Sequence, residues 1–131
     1  MNILSIKETC IYVRDLEQTK VFYSGKLGLS LISLVPGRHV FFRAGTSVLL
    51  CFLADQTLKE TVLPPHGAIG QVHFAFEVDR EEYPRSRQFV KNAGITILHE
   101  HSWPNGVKSF YFHDPDNNVV EIIEQGLWDQ Q

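Results

Sequence analysis

Hydrophobic and polar positions alternate through SIKETCIYV (5–13). Apolar-rich runs follow at LSLISLV (29–35), HVFFRA (39–44) and SVLLCFL (47–53). Alternation with β-branched and aromatic content predicts strands. Between the first two runs, Asp15 and Gln18 form a capping box. Leu16, Thr19, Val21, Phe22 and Tyr23 supply an apolar stripe, which predicts a helix ending near Gly25 to Gly28. Pro36-Gly37 and Gly45 mark turns. Residues 54–70 begin polar and close with two Pro and two Gly, the pattern of a linker. The order then recurs. QVHFAFEV (71–78) reads as a strand, and Asp79 with Glu82 suggests a second capping box. A helix follows, regular from near Pro84 and ending at Gly94. Strands at 95–101, 108–113 and 119–124 are separated by the turns Trp103-Pro104-Asn105-Gly106 and DPDNN (114–118). Both halves read β-α-β-β-β.

The recurrence extends to individual residues. Glu8 to Val13 followed by Arg14-Asp15 matches His73 to Val78 followed by Asp79-Arg80. Phe22 and Gly28 match Phe89 and Gly94, Gly37 matches Gly106, and Phe41-Phe42 matches Phe110-Tyr111. Such a repeat predicts two modules, about 4–54 and 71–125, joined by a linker of about 55–70 within a single domain. Side chains alternate across a strand. Glu8, Cys10 and Tyr12 therefore share one face, His73, Ala75 and Glu77 another, and Val119, Glu121 and Ile123 a third. Ile11, Val13, Phe74, Phe76 and Val78 lie opposite, under the helices. Glu8, His73 and Glu121 then stand on the uncovered faces of three different strands.

Composition narrows the class. The chain has 131 residues, 44% hydrophobic, with 12 Lys and Arg against 15 Asp and Glu. A net charge of −3 gives no footprint for nucleic acid or an anionic membrane. The longest apolar runs are far short of a membrane span. MNILSIKETC has no h-region or small-residue cleavage site, and Cys10 and Cys51 stand outside any spaced framework. Both features point to reduced thiols in the cytoplasm. No GxGxxG, P-loop, Gly-x-Ser-x-Gly or CxxC pattern is present, so nucleotide, hydrolase-elbow and dithiol chemistries lack support.

ETCIYVRDLEQTKVFYSGKLGL, VHFAFEV and FYFHDPDNNVVEII are the most specific segments. Through them the chain, from about residue 5 to 125, resembles the glyoxalase/bleomycin-resistance/extradiol-dioxygenase superfamily, the vicinal oxygen chelate fold. The resemblance implies an α+β fold of paired βαβββ modules curling into a half-open β-barrel around one site. It also implies a homodimer in which modules of one or both chains complete each site. Family metal ligands lie on the first and last strands of each module, which here are Glu8, Leu50, His73 and Glu121. The sequence departs from the pattern at Glu8, where His is common, and at Leu50, where a polar or acidic residue is common.

Two carboxylates and one imidazole, with coordination positions left open, suit a catalytic metal. The oxygen-rich set favours Mn²⁺, Mg²⁺ or Fe²⁺ while admitting Zn²⁺ or Ni²⁺. Such an ion would act as Lewis acid on an oxygen-rich small substrate, with Glu121 or Glu8 as general base. This is the leading expectation: a glyoxalase-like lyase, isomerase or transferase. The first alternative, which Leu50 favours, is a metal-free bleomycin-resistance-type binding protein. An extradiol dioxygenase is a weaker one, because its iron triad needs two His and one carboxylate.

Each residue also has a plainer reading. Glu8 fits a solvated edge, His73 a satisfied core histidine, and Glu121 a buried salt bridge to Arg38 or Arg43. Cys10 is expected to be a small core residue and His66 a plain loop residue. His39 and His113 lie at strand ends, and His99 and His101 read as a solvated edge strand. Trp103, Arg38, Lys108 and Phe41 suit either a pocket for an acidic or aromatic ligand or simple packing.

Overall fold

The computed structural model describes residues 1–129. Its contacts divide the chain into two units, residues 1–70 and residues 71 onward. The first unit contains β1 (Glu8–Tyr12), α1 (Leu16–Lys20) running into a π-helical turn (Val21–Lys26), β2 (Ser30–Val35), β3 (His39–Ala44), β4 (Ser47–Phe52) and the short α2 (Ala54–Thr57). The second contains β5 (His73–Val78), α3 (Tyr83–Asn92), β6 (His99–Ser102), β7 (Lys108–His113) and β8 (Val119–Glu124). Each unit has its own four-stranded mixed sheet, ordered β1-β4-β3-β2 and β5-β8-β7-β6. First and last strands pair in parallel, and the rest are antiparallel. The fold is the expected α+β arrangement of two βαβββ units, as two separate sheets with free edges rather than one closed sheet.

Helix α1 starts where the sequence places it, with the Gln18 N–H donating to Asp15 Oδ1 at 3.0 Å. It then widens, and the Leu27 N–H reaches back five residues to the Phe22 carbonyl at 3.0 Å. Gly28 ends the segment at φ 81° and Gly94 ends α3 at φ 79°, left-handed positions that suit glycine. Ile11, Val40, Phe42, Leu49 and Cys51 bury one face of the first sheet against Leu16, Phe22 and Tyr23. Tyr23 lies 5.6 Å from Phe42, ring centre to ring centre. In the second unit Phe110, Phe112, Val120 and Ile122 do the same with Tyr83 and Val90.

Several expectations need correction. β6 begins at His99, not at residue 95. Its antiparallel register places residue 95 opposite Pro115, in the turn after β7, so no partner strand exists there. β1 begins at Glu8 because Glu8 pairs Val48, and residues 5–6 would face the turn before β4. The Asp79–Glu82 box does not cap a helix. These residues form a turn, with the Glu82 N–H donating to the Asp79 carbonyl, and α3 starts at Tyr83. Phe89 is 52% exposed and Val90 fills the buried place, so Phe22 and Phe89 are not equivalent. The linker contains α2.

Replacing Phe42 or Phe110 by Ala should cost about 3–5 kcal/mol in urea denaturation. Phe89→Ala should stay within about 0.5 kcal/mol, since its ring is half in solvent.

Candidate metal centre

The parallel register sets the second unit's open face. His73 pairs Val119, and Ala75 pairs Glu121, which in turn faces Tyr111. His73 Nε2 stands 3.2 Å from Glu121 Oε1. His73 Nδ1 lies 3.0 Å from the Val119 carbonyl, which can only accept, so Nδ1 carries the hydrogen. A neutral His73 ring therefore turns the Nε2 lone pair towards a carboxylate lone pair. Only positive charge between them, a proton or a metal ion, makes that contact favourable. Glu121 is 5% exposed, and its buried Oε2 has no hydrogen-bond partner among the described residues. A buried carboxylate oxygen left bare is costly and calls for an explanation.

These residues fit a divalent ion. Two neighbouring ligands with bonds of about 2.1 Å lie roughly 3.0–3.4 Å apart in octahedral or tetrahedral shells, which brackets the observed separation. The orphaned Oε2 supplies a further donor. Backbone capture of Nδ1 is the usual way a ligating imidazole is oriented.

On the same sheet lies a row of hydrogen-bonding groups of which the sequence singled out only Trp103, as a pocket or packing residue. Trp103 Nε1–H donates to Ser109 Oγ at 3.1 Å, and Ser109 donates to the Tyr111 hydroxyl at 3.2 Å. Burial pushes the Tyr111 phenol up; the Ser109 bond opposes this, and the Glu121 charge and a hydrogen bond to the Glu121 carboxylate add to it. Tyr111 thus stays a hydroxyl donor at neutral pH. The alternation of KSFYFH held this signal, since Ser109 and Tyr111 share a face. His99 and His101 follow on the exposed edge strand, as expected, with His99 5.9 Å from the Tyr111 ring.

In the first unit the corresponding row is Cys10, Leu50 and Phe41, matching Ala75, Glu121 and Tyr111. Glu8 holds the register place of His73, and Leu50 that of Glu121. Leu50 has no donor atom. Within each unit, among the described residues, no three His, Cys, Asp or Glu side chains gather as a metal-holding group. The sequence correspondence of Phe41-Phe42 with Phe110-Tyr111 is one residue out. The register pairs Phe41 with Tyr111 and Phe42 with Phe112, because the second hairpin turn carries one residue more after its glycine.

One histidine and one cysteine differ from expectation. Cys10 is exposed on the open face rather than packed in the core. Partial desolvation pushes its thiol up, with the nearby Tyr12 working against that and Glu8 with it. His66 is docked on the sheet: the Tyr12 hydroxyl lies 2.7 Å from its Nδ1, and its ring meets Phe52 edge-on at 5.0 Å. Burial first, then Cys10, pushes the Tyr12 phenol up to about 12. Arg38 is engaged by Glu60 at 2.8 Å and lies over Phe52, so Glu60 takes the guanidinium assigned in the plainer reading to Glu121. Arg38 Nη1 also donates to His39 Nδ1, and His39 Nε2–H donates to Ser33 Oγ at 3.2 Å.

The family model for the Glyoxalase/Bleomycin resistance protein/Dioxygenase superfamily matches residues 5–122. The chain belongs to that superfamily. A crystal structure of lactoylglutathione lyase from Agrobacterium tumefaciens superposes with a TM-score of 0.90 at 36% identity, covering 96% of this chain and 97% of that one. Glutathione transferase FosA of Serratia marcescens is 27% identical over 123 residues, 90% of this chain and 79% of that protein. Metallothiol transferase FosB of Staphylococcus epidermidis is 26% identical over 133 residues, 99% of this chain and 88% of that protein. Among the described residues of this superfamily member, no helix is long and apolar enough to cross a membrane.

His39 gives the fold an acid sensitivity. Burial, and then the adjacent Arg38 charge, lowers its pKa below the ordinary 6.5. The unfolded ring then binds a proton more readily than the folded one, so stability is full above about 6.5 and falls as pH drops below it. The urea midpoint should fall between about pH 7.5 and about pH 5, and His39→Gln should shrink that fall.

Proposed function

We propose that the protein is a glyoxalase-type metalloenzyme, a lyase, isomerase or transferase, in which His73, Glu121 and Glu8 hold a divalent ion. The observation that carries this reading is the meeting of His73 Nε2 with a buried Glu121 whose second oxygen is bare. Glu8 holds the place in the first unit that His73 holds in the second, which supports it as third ligand. Two carboxylates and one imidazole favour Mn²⁺, Mg²⁺ or Fe²⁺ and admit Ni²⁺ or Zn²⁺. The bound ion supplies Lewis-acid stabilisation of negative charge developing on a substrate oxygen.

The chain's own residues do the rest. Tyr111, its oxygen held by the buried Ser109 hydroxyl, offers a hydroxyl donor to an oxygen-rich small substrate. Glu121 or Glu8 takes a proton from the reacting carbon or thiol, since a carboxylate is the available base. The names of the three relatives share a thiol, two of them glutathione, which supports a low-molecular-weight thiol as co-substrate. A homodimer is the assembly we assign, and the two free cysteines support a reducing cytoplasm.

Titration of the dialysed protein with Mn²⁺, Ni²⁺ and Zn²⁺ tests the reading. Wild type should bind one ion per chain. His73→Ala and Glu121→Gln should each weaken binding by more than about 100-fold, beyond the usual loss from an outer-shell change. Equally poor binding by all three proteins would overturn it in favour of a metal-free binding protein.

A further inference from the structure

We propose that Asp114 and Asn118 are positioning residues that hold His73 in the Nδ1–H tautomer, with Nε2 free to bind a metal. The metal-binding half of this statement rests on the reading of His73 given above. The tautomer half does not.

Asp114 and Asn118 close the DPDNN turn between β7 and β8, and they are 4% and 1% exposed. Asp114 Oδ1 accepts the backbone N–H groups of Asp116 and Asn118, both at 2.9 Å. Oδ2 accepts Asn118 Nδ2–H at 2.9 Å. Asn117 permits this tight closure by adopting φ 62°, a left-handed conformation that Asn tolerates better than most residues. An ionised carboxylate only accepts, so the Asn118 amide is fixed with Nδ2 towards Asp114. Its Oδ1 must point the other way, where it accepts the Val72 N–H at 3.0 Å. The Val119 N–H donates to the Val72 carbonyl at 2.9 Å.

Both backbone groups of Val72 are thus held by consecutive residues of the opposite strand, one residue before His73. Beside them, the Val119 carbonyl receives His73 Nδ1–H. His73 is the first residue of β5, a position that would fray without such an anchor. The first unit provides an internal comparison. By register, Lys7 matches Val72 and Ser47 matches Asn118, yet there a single exposed bond joins Ser47 Oγ to the Lys7 carbonyl at 3.0 Å. The buried bracket occurs in the unit whose first and last strands carry the His–Glu pair. Removing the Asn118 side chain takes away the acceptor of the part-buried Val72 N–H, so β5 loses its anchor and His73 its fixed partner.

Nitrogen-detected NMR of the imidazoles tests this at a pH above their titration, with His73 assigned by comparison with His73→Ala. The metal-free wild type should show His73 as the Nδ1–H tautomer. A ring protonated at Nε2 instead overturns the proposal, whatever the variants do. In Asn118→Ala, and in Asp114→Asn, which keeps the volume should the first fail to fold, His73 should shift towards Nε2–H. Mn²⁺ binding should weaken about 10–100-fold, the usual effect of losing an outer-shell partner. A folded variant with unchanged tautomer and Mn²⁺ affinity rejects the bracket and leaves the metal reading intact. Wild type that fails to bind Mn²⁺, Ni²⁺ or Zn²⁺, with the tautomer shift present, rejects the metal reading and leaves the bracket intact.

Discussion

Parallel pairing of the first and last strands in each unit is the constraint on which everything else depends. It sets which side chains share an open face, because strand side chains alternate and a slip of one residue reverses every one of them. With Ala75 opposite Glu121, His73 reaches Glu121 diagonally and Tyr111 faces it from the other side. A slip by one would turn Glu121 towards the helix and send Val120 or Ile122 into solvent. Burial of Val120 and Ile122 beneath α3 therefore holds the carboxylate in its place on the opposite face.

That placement works against stability considered alone. A carboxylate with one bare buried oxygen, facing an imidazole lone pair, is an arrangement that apolar side chains would improve. Leu50 is that improvement, at the same register position in the first unit. The two sheets thus show one backbone with the charge kept and with the charge removed. The buried hydrogen bonds of Asp114 and Asn118 lie in the unit where the charge is kept. Rigid support belongs where a side chain is held in a costly state.

The sequence carried the element order, the α+β class and the division of each first strand into covered and uncovered faces. Ile11 and Val13 are buried while Glu8 and Cys10 are exposed, as alternation requires. It misled wherever a local signal depended on a distant partner. Residues 95–98 are rich in β-branched and apolar side chains, yet β7 ends before it can pair them. Asp79 and Glu82 have the spacing of a capping box but are spent on a turn. Cys10 reads as a small core residue only if a thiol is treated as a hydrophobe, although alternation already places it on the open face with Glu8, where it is exposed. His66 looked like loop because its partners, Tyr12 and Phe52, are far away in sequence. For Glu121 the need for a partner was legible from its apolar flanks, but the identity of that partner, His73, required the register.

The one-residue misalignment between Phe41-Phe42 and Phe110-Tyr111 shows how much depends on turn length. Aligned on the turn glycines, Gly37 and Gly106, Tyr111 falls among the helix-facing residues and has no chemistry. Aligned on the ladder, it falls beside Glu121 with its hydroxyl held by Ser109. A repeat can therefore be recognised from its glycines and helices while its functional positions are read one residue wrong. The strand ladder corrects this because backbone pairing, unlike turn length, cannot drift without inverting the core. Open-face residues of the two units should accordingly be compared through their partners on the last strand, where Leu50 answers Glu121. On that comparison, donor atoms for an ion are concentrated in the second unit, and Glu8 holds in the first the register place of His73.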